Sequence, residues 1–423
     1  MFKKLNYKRN TTINFFEFFF QSLNLLLFYK ISTFYLSLNV FGTYVLVITY
    51  ASFIKLLDFG LSNSTIRYLS ISKINKNERK EIINNSFTVY IFFFSIISLV
   101  FINLILLFDN YFLNSFENEI NKIEFDKLIK LSVIYIYLSL ISSFFYNLTR
   151  GLHQVYKFSA IKIISLIIQI IILYLIIKKY EIFSLLYVQI IHHIFLIIAG
   201  YFVIFNTTGY FPKIIFNFNK KILVKLLRFG IKFYFTSSLN LLFETVQKLF
   251  INHYGNLSYL AIYEIVYRIM VIFRSILAIP VSNFYPVLNF LYSVKKNFKS
   301  SFYQNKIKSI YLKKISLILY ILLILFSYPL SLFLFEEKNN FFTICIFILA
   351  IGFYINLYTS SIYLEYLSKE IFSKLIISNS IGILLFILLS ILLGNIFSTI
   401  GIIFSIMASM LISSLYLLIT YEK

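Results

Sequence analysis

The stretch FSAIKIISLIIQIIILYLIIKKYEIFSLLYVQIIHHIFLIIAGYFVIF, Phe158 to Phe205, decides the fold. It holds two apolar runs, 158–177 and 182–205, parted by Lys178-Lys-Tyr-Glu181. A helix of roughly 20 apolar residues crosses the hydrocarbon core of a bilayer. Each run has that length, and the break between them has the length of a turn. The stretch reads as two membrane-spanning helices in succession, both closing their backbone hydrogen bonds internally as hydrocarbon demands.

Working outward, comparable runs lie near 12–37, 41–60, 86–108, 128–148, 229–251, 258–290, 310–335, 341–363, 371–393 and 396–419, which makes about twelve spans. The chain of 423 residues is 60% hydrophobic and only 13% charged, with a mean hydropathy of +0.84. Soluble domains carry about 25% charged residues. A globular core has no room for this much Ile, Leu and Phe, and lipid does. The expected fold class is all-α, a polytopic membrane protein.

The basic residues are sorted by side. Of 39 Lys and Arg, with Lys130, Lys162, Lys232, Lys313, Lys314 and Lys374 near run ends counted with the gaps they adjoin, 28 fall in one alternating set of gaps, 6 in the other and 5 inside the apolar runs. Lys/Arg-rich loops stay cytoplasmic, so both termini are read as cytoplasmic and the span count as even. The formal charge of +22 sits in short loops and on no single soluble face, which excludes nucleic acid as a partner. The basic segment Met1–Asn10 precedes an apolar run that Glu17, Gln21 and Asn24 interrupt, with no small-residue cleavage site. It reads as an uncleaved first span.

The longest basic gaps follow the second and eighth spans, as expected of two six-span lobes, 1–208 and 209–423, joined by the basic segment Thr208–Arg228. A duplication of this kind sets a pathway between its halves. Ionisable residues at membrane depth mark that pathway, because they are costly and face a cavity or each other. They are Glu17, Lys30, Lys55, Asp58, Glu244, Lys248, Glu264, Arg268, Arg274 and Glu365. Ser237, Asn240, Glu244, Lys248 and Asn252 recur at three to four residues and line one helix face. That stripe reads as a cavity wall, or more simply as a Glu244–Lys248 pair joining helices. Glu264 and Arg268 repeat the spacing on the next span, with Arg274 beyond, and Pro280 and Pro286 mark a bend near its end. Lys55 and Asp58 are a gate pair or an interfacial salt bridge. Glu17, Glu244 and Glu264 are the carboxylates that a coupling proton would use.

Other chemistry is missing from the sequence. Cys345 is the only cysteine, and the adjacent His192 and His193 point about 100° apart on a helix. No metal site and no cofactor is expected. There is no phosphate-binding Gly-rich loop, dinucleotide fingerprint or zinc-peptidase motif. The chain reads as no enzyme, and short outer loops argue against a membrane polysaccharide polymerase.

Some of these residues form a pattern. Leu36-Ser-Leu-Asn-Val-Phe-Gly-Thr-Tyr44, Leu56-Leu-Asp-Phe-Gly-Leu61 with Arg67, Arg150-Gly-Leu-His-Gln154, and Phe229-Gly230 with Ile262-Tyr263 resemble the polysaccharide-transporter family of Wzx-type O-antigen flippases. Ser37 stands where that family has Gly, and Lys30 where Arg is common. The resemblance implies two six-helix lobes around a central cavity, shared with multidrug extruders and lipid II flippases, and alternating access. It implies a bacterial inner-membrane protein that moves undecaprenyl-diphosphate-linked oligosaccharide repeat units for O-antigen or capsule synthesis. Its partners would be that lipid-linked substrate, bilayer lipid and other polysaccharide-assembly proteins. Lys30, Lys55, Arg268 and Arg274 would be cavity cations for the diphosphate, joined on the charge map by Lys248 and Asn240. A multidrug or cation extruder of the same fold is the alternative.

Overall fold

A computed structural model describes residues 7–57, 60–70, 76–107, 116, 121–152, 154–215, 219–282, 314–369 and 371–422. Asp58, Pro286 and the basic run 295–313 lie outside the described residues.

The described chain is helical. In order come α1 (Tyr7–Tyr35), α2 (Leu38–Ala51) tightening into a 3-10 turn (Ser52–Leu57), α3 (Leu61–Ser70), α4 (Lys76–Leu107), α5 (Lys122–Gly151) and α6 (Val155–Thr208). Then follow α7 (Lys220–Tyr254), α8 (Leu257–Ser282), α9 (Ser316–Leu325), α10 (Ser327–Phe335), α11 (Asn340–Ser368) and α12 (Phe372–Glu422). α6 has 54 residues and α12 has 51, which straight would reach about 80 Å, more than twice a bilayer core. Neither is straight. Glu181 and Ser398 leave helical geometry at φ 43° and 51°, and each folds its helix into two arms. In α12 the arms run antiparallel: Ser378 Oγ donates to the Ser413 carbonyl at 2.8 Å and Lys374 Nζ to that of Thr420 at 2.8 Å. Gly401 permits this hairpin, since a Cβ there would overlap the Leu393 carbonyl.

With those two helices counted as hairpins, each stretch predicted to span has a helix or arm over its described residues; α2 with its 3-10 turn, α4, α5, α6, α11 and α12 are long and apolar enough to cross a membrane, and the bent pair α9–α10 would make a seventh. One span is broken: α9 and α10 meet at a bend of 49°. The polar residues inside spans are mostly satisfied locally. Ser32, Thr49, Thr88 and Ser405 each donate to the carbonyl four residues back, so a hydroxyl crosses hydrocarbon without an open donor.

The helices form two compact units, Met1–Leu241 and Leu242–Lys423, whose boundary falls inside α7. In the first unit the aromatic cluster Phe87, Phe144, Phe145 and Tyr201 knits α4, α5 and the second arm of α6. The segment after α6 is lashed to α4. The Lys213, Ile215 and Asn219 amides donate to Asn84 Oδ1, Thr88 Oγ1 and Asn85 Oδ1 at 3.0, 3.0 and 3.2 Å. Asn219 Nδ2 reaches Glu81 Oε2 at 2.8 Å, and Asn219 Oδ1 caps α7. Each such bond contributes about 0.5–1.5 kcal/mol, and together they convert a linker into part of the lobe.

The start of α7 also docks here. Gly60, at φ +66°, lies so close to Gly230 that a Cβ would overlap the Gly230 carbonyl. Arg67 stacks over the Phe229 ring at 4.1 Å. Residues noted above as separate parts of a pattern thus form one contact. In the second unit Tyr267 of α8 meets Phe353 of α11, and Met410 of α12 fills the space beside Gly352.

Gly60→Ala should therefore lower the thermal midpoint in detergent far more than Gly209→Ala. Both positions have positive φ, at about 1–2 kcal/mol for an L side chain. Gly209 has open space around it, whereas overpacking at Gly60 adds about 1–3 kcal/mol. Equal midpoints for the two variants would refute the close approach.

Candidate functional site

The charged residues of α7 and α8 come together in the second unit as a ring. Glu244 and Lys248 are one turn apart on α7, and Glu264 and Arg268 one turn apart on α8. The i,i+4 spacing makes each pair at 3.0 and 2.7 Å. The helices then cross-link them: Lys248 Nζ lies 2.9 Å from Glu264 Oε2, and Arg268 Nη2 lies 2.7 Å from Glu244 Oε1. Two carboxylates and two cations alternate around a closed square. Arg268 uses different nitrogens for its two partners, Nε for Glu264 and Nη2 for Glu244.

The ring has a buried edge and an open edge. Side-chain exposure is 5% for Lys248 and 10% for Glu264, against 22% for Glu244 and 32% for Arg268. Removing one corner leaves a buried charge without its counter-ion, at a cost of about 3–5 kcal/mol. Around the ring stand aromatic hydroxyls. Tyr263 donates to Gln247 Oε1 at 2.6 Å and packs its ring, tilted by 34°, against Tyr267, which in turn lies beside Arg268.

Arg274 continues α8 away from the ring. Its Nε is buried and makes no hydrogen bond among the described residues, and neither does the buried Tyr320 hydroxyl. The guanidinium lies in the field of the Tyr320, Tyr267 and Tyr363 hydroxyls. Asn240, on the same face of α7 as Glu244, turns its amide to the Thr236 carbonyl at 3.2 Å. Glu365 closes a separate contact in the same unit, with Lys369 Nζ at 2.6 Å and the Tyr421 hydroxyl at 3.0 Å.

In the first unit Glu17 is buried in α1 and faces the first arm of α6. It accepts from Ser159 Oγ and pairs with Lys162 Nζ at 2.7 Å. Lys162, counted in the sequence with the topology-setting cations, lies two turns inside α6 and is the residue that reading missed. The available signal was its place within an apolar run, but its partner stands 145 positions away. The histidines of α6 diverge: His193 Nδ1 is 2.8 Å from Ser142 Oγ, and His192 Nδ1 is buried without a hydrogen bond among the described residues. Lys55 is half-buried in the 3-10 turn, within the field of His193, and Lys30 lies 5.5 Å over the Phe34 ring. Asp58 lies outside the described residues.

No curated protein matches the chain by sequence. Among solved structures the chain is similar to the lipid II flippase MurJ in an inward closed conformation, with 19% identity and a TM-score of 0.73 over 98% of this chain and 87% of that one. It is similar to a MATE transporter of Vibrio cholerae at 10% identity and TM-score 0.73, over 98% and 96% of the two chains. A MOP superfamily transporter from Pyrococcus furiosus gives 12% identity and TM-score 0.68, over 100% and 98%. At such identities these likenesses establish the fold. The family model described as "Polysaccharide biosynthesis protein" matches residues 8–291, about two thirds of the chain. The chain is thus a multi-pass membrane protein with a transporter fold, and it belongs to the polysaccharide biosynthesis protein family.

Proposed function

We propose that this protein is a flippase for undecaprenyl-diphosphate-linked oligosaccharide repeat units in the bacterial inner membrane, with two lobes, 1–208 and 209–423, and both termini in the cytoplasm. The observation that carries the reading is the pair of guanidinium groups on α8. Arg268 stands at the open edge of the ion-pair ring, and Arg274 is buried among tyrosines. Guanidinium offers paired donors to phosphate oxygens, and a membrane helix retains such groups for a substrate or a partner. Membership of a polysaccharide biosynthesis family and a fold similar to that of a lipid II flippase support a substrate class that joins an anionic headgroup to a lipid.

In this reading Lys30, Lys55, Lys248, Arg268, Arg274 and Asn240 hold the headgroup, Glu17, Glu244 and Glu264 carry the coupling ion, and Asp58 belongs to a gate. The lipid tail stays in the bilayer while the headgroup crosses. Translocation breaks no bond, so no catalytic group, metal or cofactor is required. Other polysaccharide-assembly membrane proteins would deliver the unit and receive it.

A second reading, a multidrug or cation extruder, is favoured by the two ring carboxylates and by the MATE transporters among the similar folds. A cationic drug would seek Glu244 and Glu264, an anionic headgroup Arg268 and Arg274. Deleting the gene separates the two. The flippase reading expects lipid-linked repeat units to accumulate on the cytoplasmic leaflet and surface glycan to fall; the extruder reading expects drug sensitivity with intact glycan. Arg268→Ala, at normal protein level, should reproduce the accumulation, and Arg268→Lys should restore part of the flux. A normal glycan profile in Arg268→Ala cells would remove that residue from the site. Reporter fusions at both ends should be active only as cytoplasmic reporters; periplasmic activity at either end would overturn the topology.

A further inference from the structure

Arg274 stands outside the ion-pair ring. It forms no ion pair among the described residues, and its Nε is buried without a hydrogen bond there. The groups that act on its charge are the hydroxyls of Tyr320, Tyr267 and Tyr363, with no carboxylate among them. Tyr320, on α9, is 2% exposed, and its hydroxyl also makes no hydrogen bond among the described residues. The two side chains are neighbours. The Tyr320 ring packs edge-on against Phe273, the residue before Arg274, at 5.1 Å, and against Tyr354 of α11 at 6.1 Å. Arg274 is the charged group whose field reaches the Tyr320 hydroxyl.

A buried donor with no acceptor is costly, and folded proteins leave few of them. Here two lie side by side. The guanidinium has only N–H groups, and the tyrosine hydroxyl has an O–H to give. The place therefore lacks an acceptor, and the charge of Arg274 calls for a negative one. A water molecule would satisfy the hydroxyl and leave that charge unmatched. The connecting sequence 283–315 contains no Asp or Glu that could match it. The Arg274 side chain as a whole is only half-buried, so a ligand can reach the guanidinium. A phosphate oxygen supplies both the charge and the lone pairs, and its bonds to such donors are stronger than neutral ones.

We infer that Tyr320 is a substrate-binding residue, and that its hydroxyl and the Arg274 guanidinium together bind one phosphate of the diphosphate headgroup. The inference rests on the flippase reading and adds to it a residue of α9 that a map of charges does not reach. The ligand-free protein carries the cost of two unmatched donors, and the headgroup removes that cost as it binds.

Calorimetric titration of the full-length protein in detergent with a dialkyl diphosphate tests this. Tyr320→Phe removes one oxygen and keeps the ring. It should weaken diphosphate binding roughly tenfold or more, the effect of losing one hydrogen bond to a charged group. The thermal midpoint without ligand should not fall, because the hydroxyl holds nothing in that state. A lower midpoint would give the hydroxyl a structural partner and overturn the inference. In an Arg274→Gln background the further loss from Tyr320→Phe should shrink, since groups that share a partner do not act additively; equal losses in both backgrounds would overturn the shared site. A dialkyl phosphate, with the headgroup chemistry of an ordinary bilayer lipid, and inorganic phosphate should both bind more weakly, because they lack the second phosphate. Binding of either as tightly as the diphosphate, with the same dependence on Tyr320, would assign the site to bilayer lipid or free phosphate and overturn the inference. Diphosphate binding that Tyr320→Phe leaves unchanged overturns this inference and leaves the flippase reading standing. Diphosphate binding to neither wild type nor any variant overturns both.

Discussion

The absence of water from the hydrocarbon core is the constraint on which the rest of this structure depends. Every amide and carbonyl that crosses it must find a partner inside the protein, so the described residues of its spans are helical and serines and threonines among them donate back to their own helices. The same constraint sets the terms for charge. A Lys or Glu at depth cannot be left to solvent, and the described side chains resolve this in two ways. Glu17 and Glu365 each take a lysine at close range, and the two acids and two bases of α7 and α8 close on one another in a ring.

Local order and lobe order are built from different parts. α7 begins within the first compact unit and ends in the second. Its beginning is fixed by side chains of other elements: Asn84, Asn85 and Thr88 hold the backbone that leads into it, and Gly60 and Arg67 hold its first turns. Its later turns carry two corners of the ion-pair ring. One continuous helix therefore connects a docking site specified by small residues to a functional candidate specified by charges.

How much of this was legible in the sequence follows from the range of each signal. Span positions were, because hydrophobic length is a property of consecutive residues; the turn at Glu181 falls in the expected break between the runs ending at 177 and starting at 182, whereas the turn at Ser398 falls three residues beyond the expected break at 394–395, inside the run read as 396–419. The i,i+4 pairs Glu244–Lys248 and Glu264–Arg268 were, because helical period dictates them. The bonds that close the ring, Lys248 to Glu264 and Arg268 to Glu244, were not. They depend on how α7 lies against α8, which no periodicity records. Lys162 was misplaced for a related reason: near the end of a span, a cation that sets topology and a cation that pairs with a distant carboxylate look alike in one dimension. The bend between α9 and α10 also escaped, although Pro329 marks it: a proline there cannot donate to the carbonyl of Leu325, where α9 ends.

The closed ring has a consequence for how this protein can diverge. Four side chains, each bonded to two of the others, cannot change one at a time without leaving a buried charge unmatched, and substitutions that share partners do not add. Neutral drift at these positions must then pass through paired replacements, an acid lost together with a base or an acid and a base exchanging places. Among descendants of this chain the corners at 244, 248, 264 and 268 would keep their summed charge while individual identities wander, so the quantity inherited there is a balance and not a set of letters.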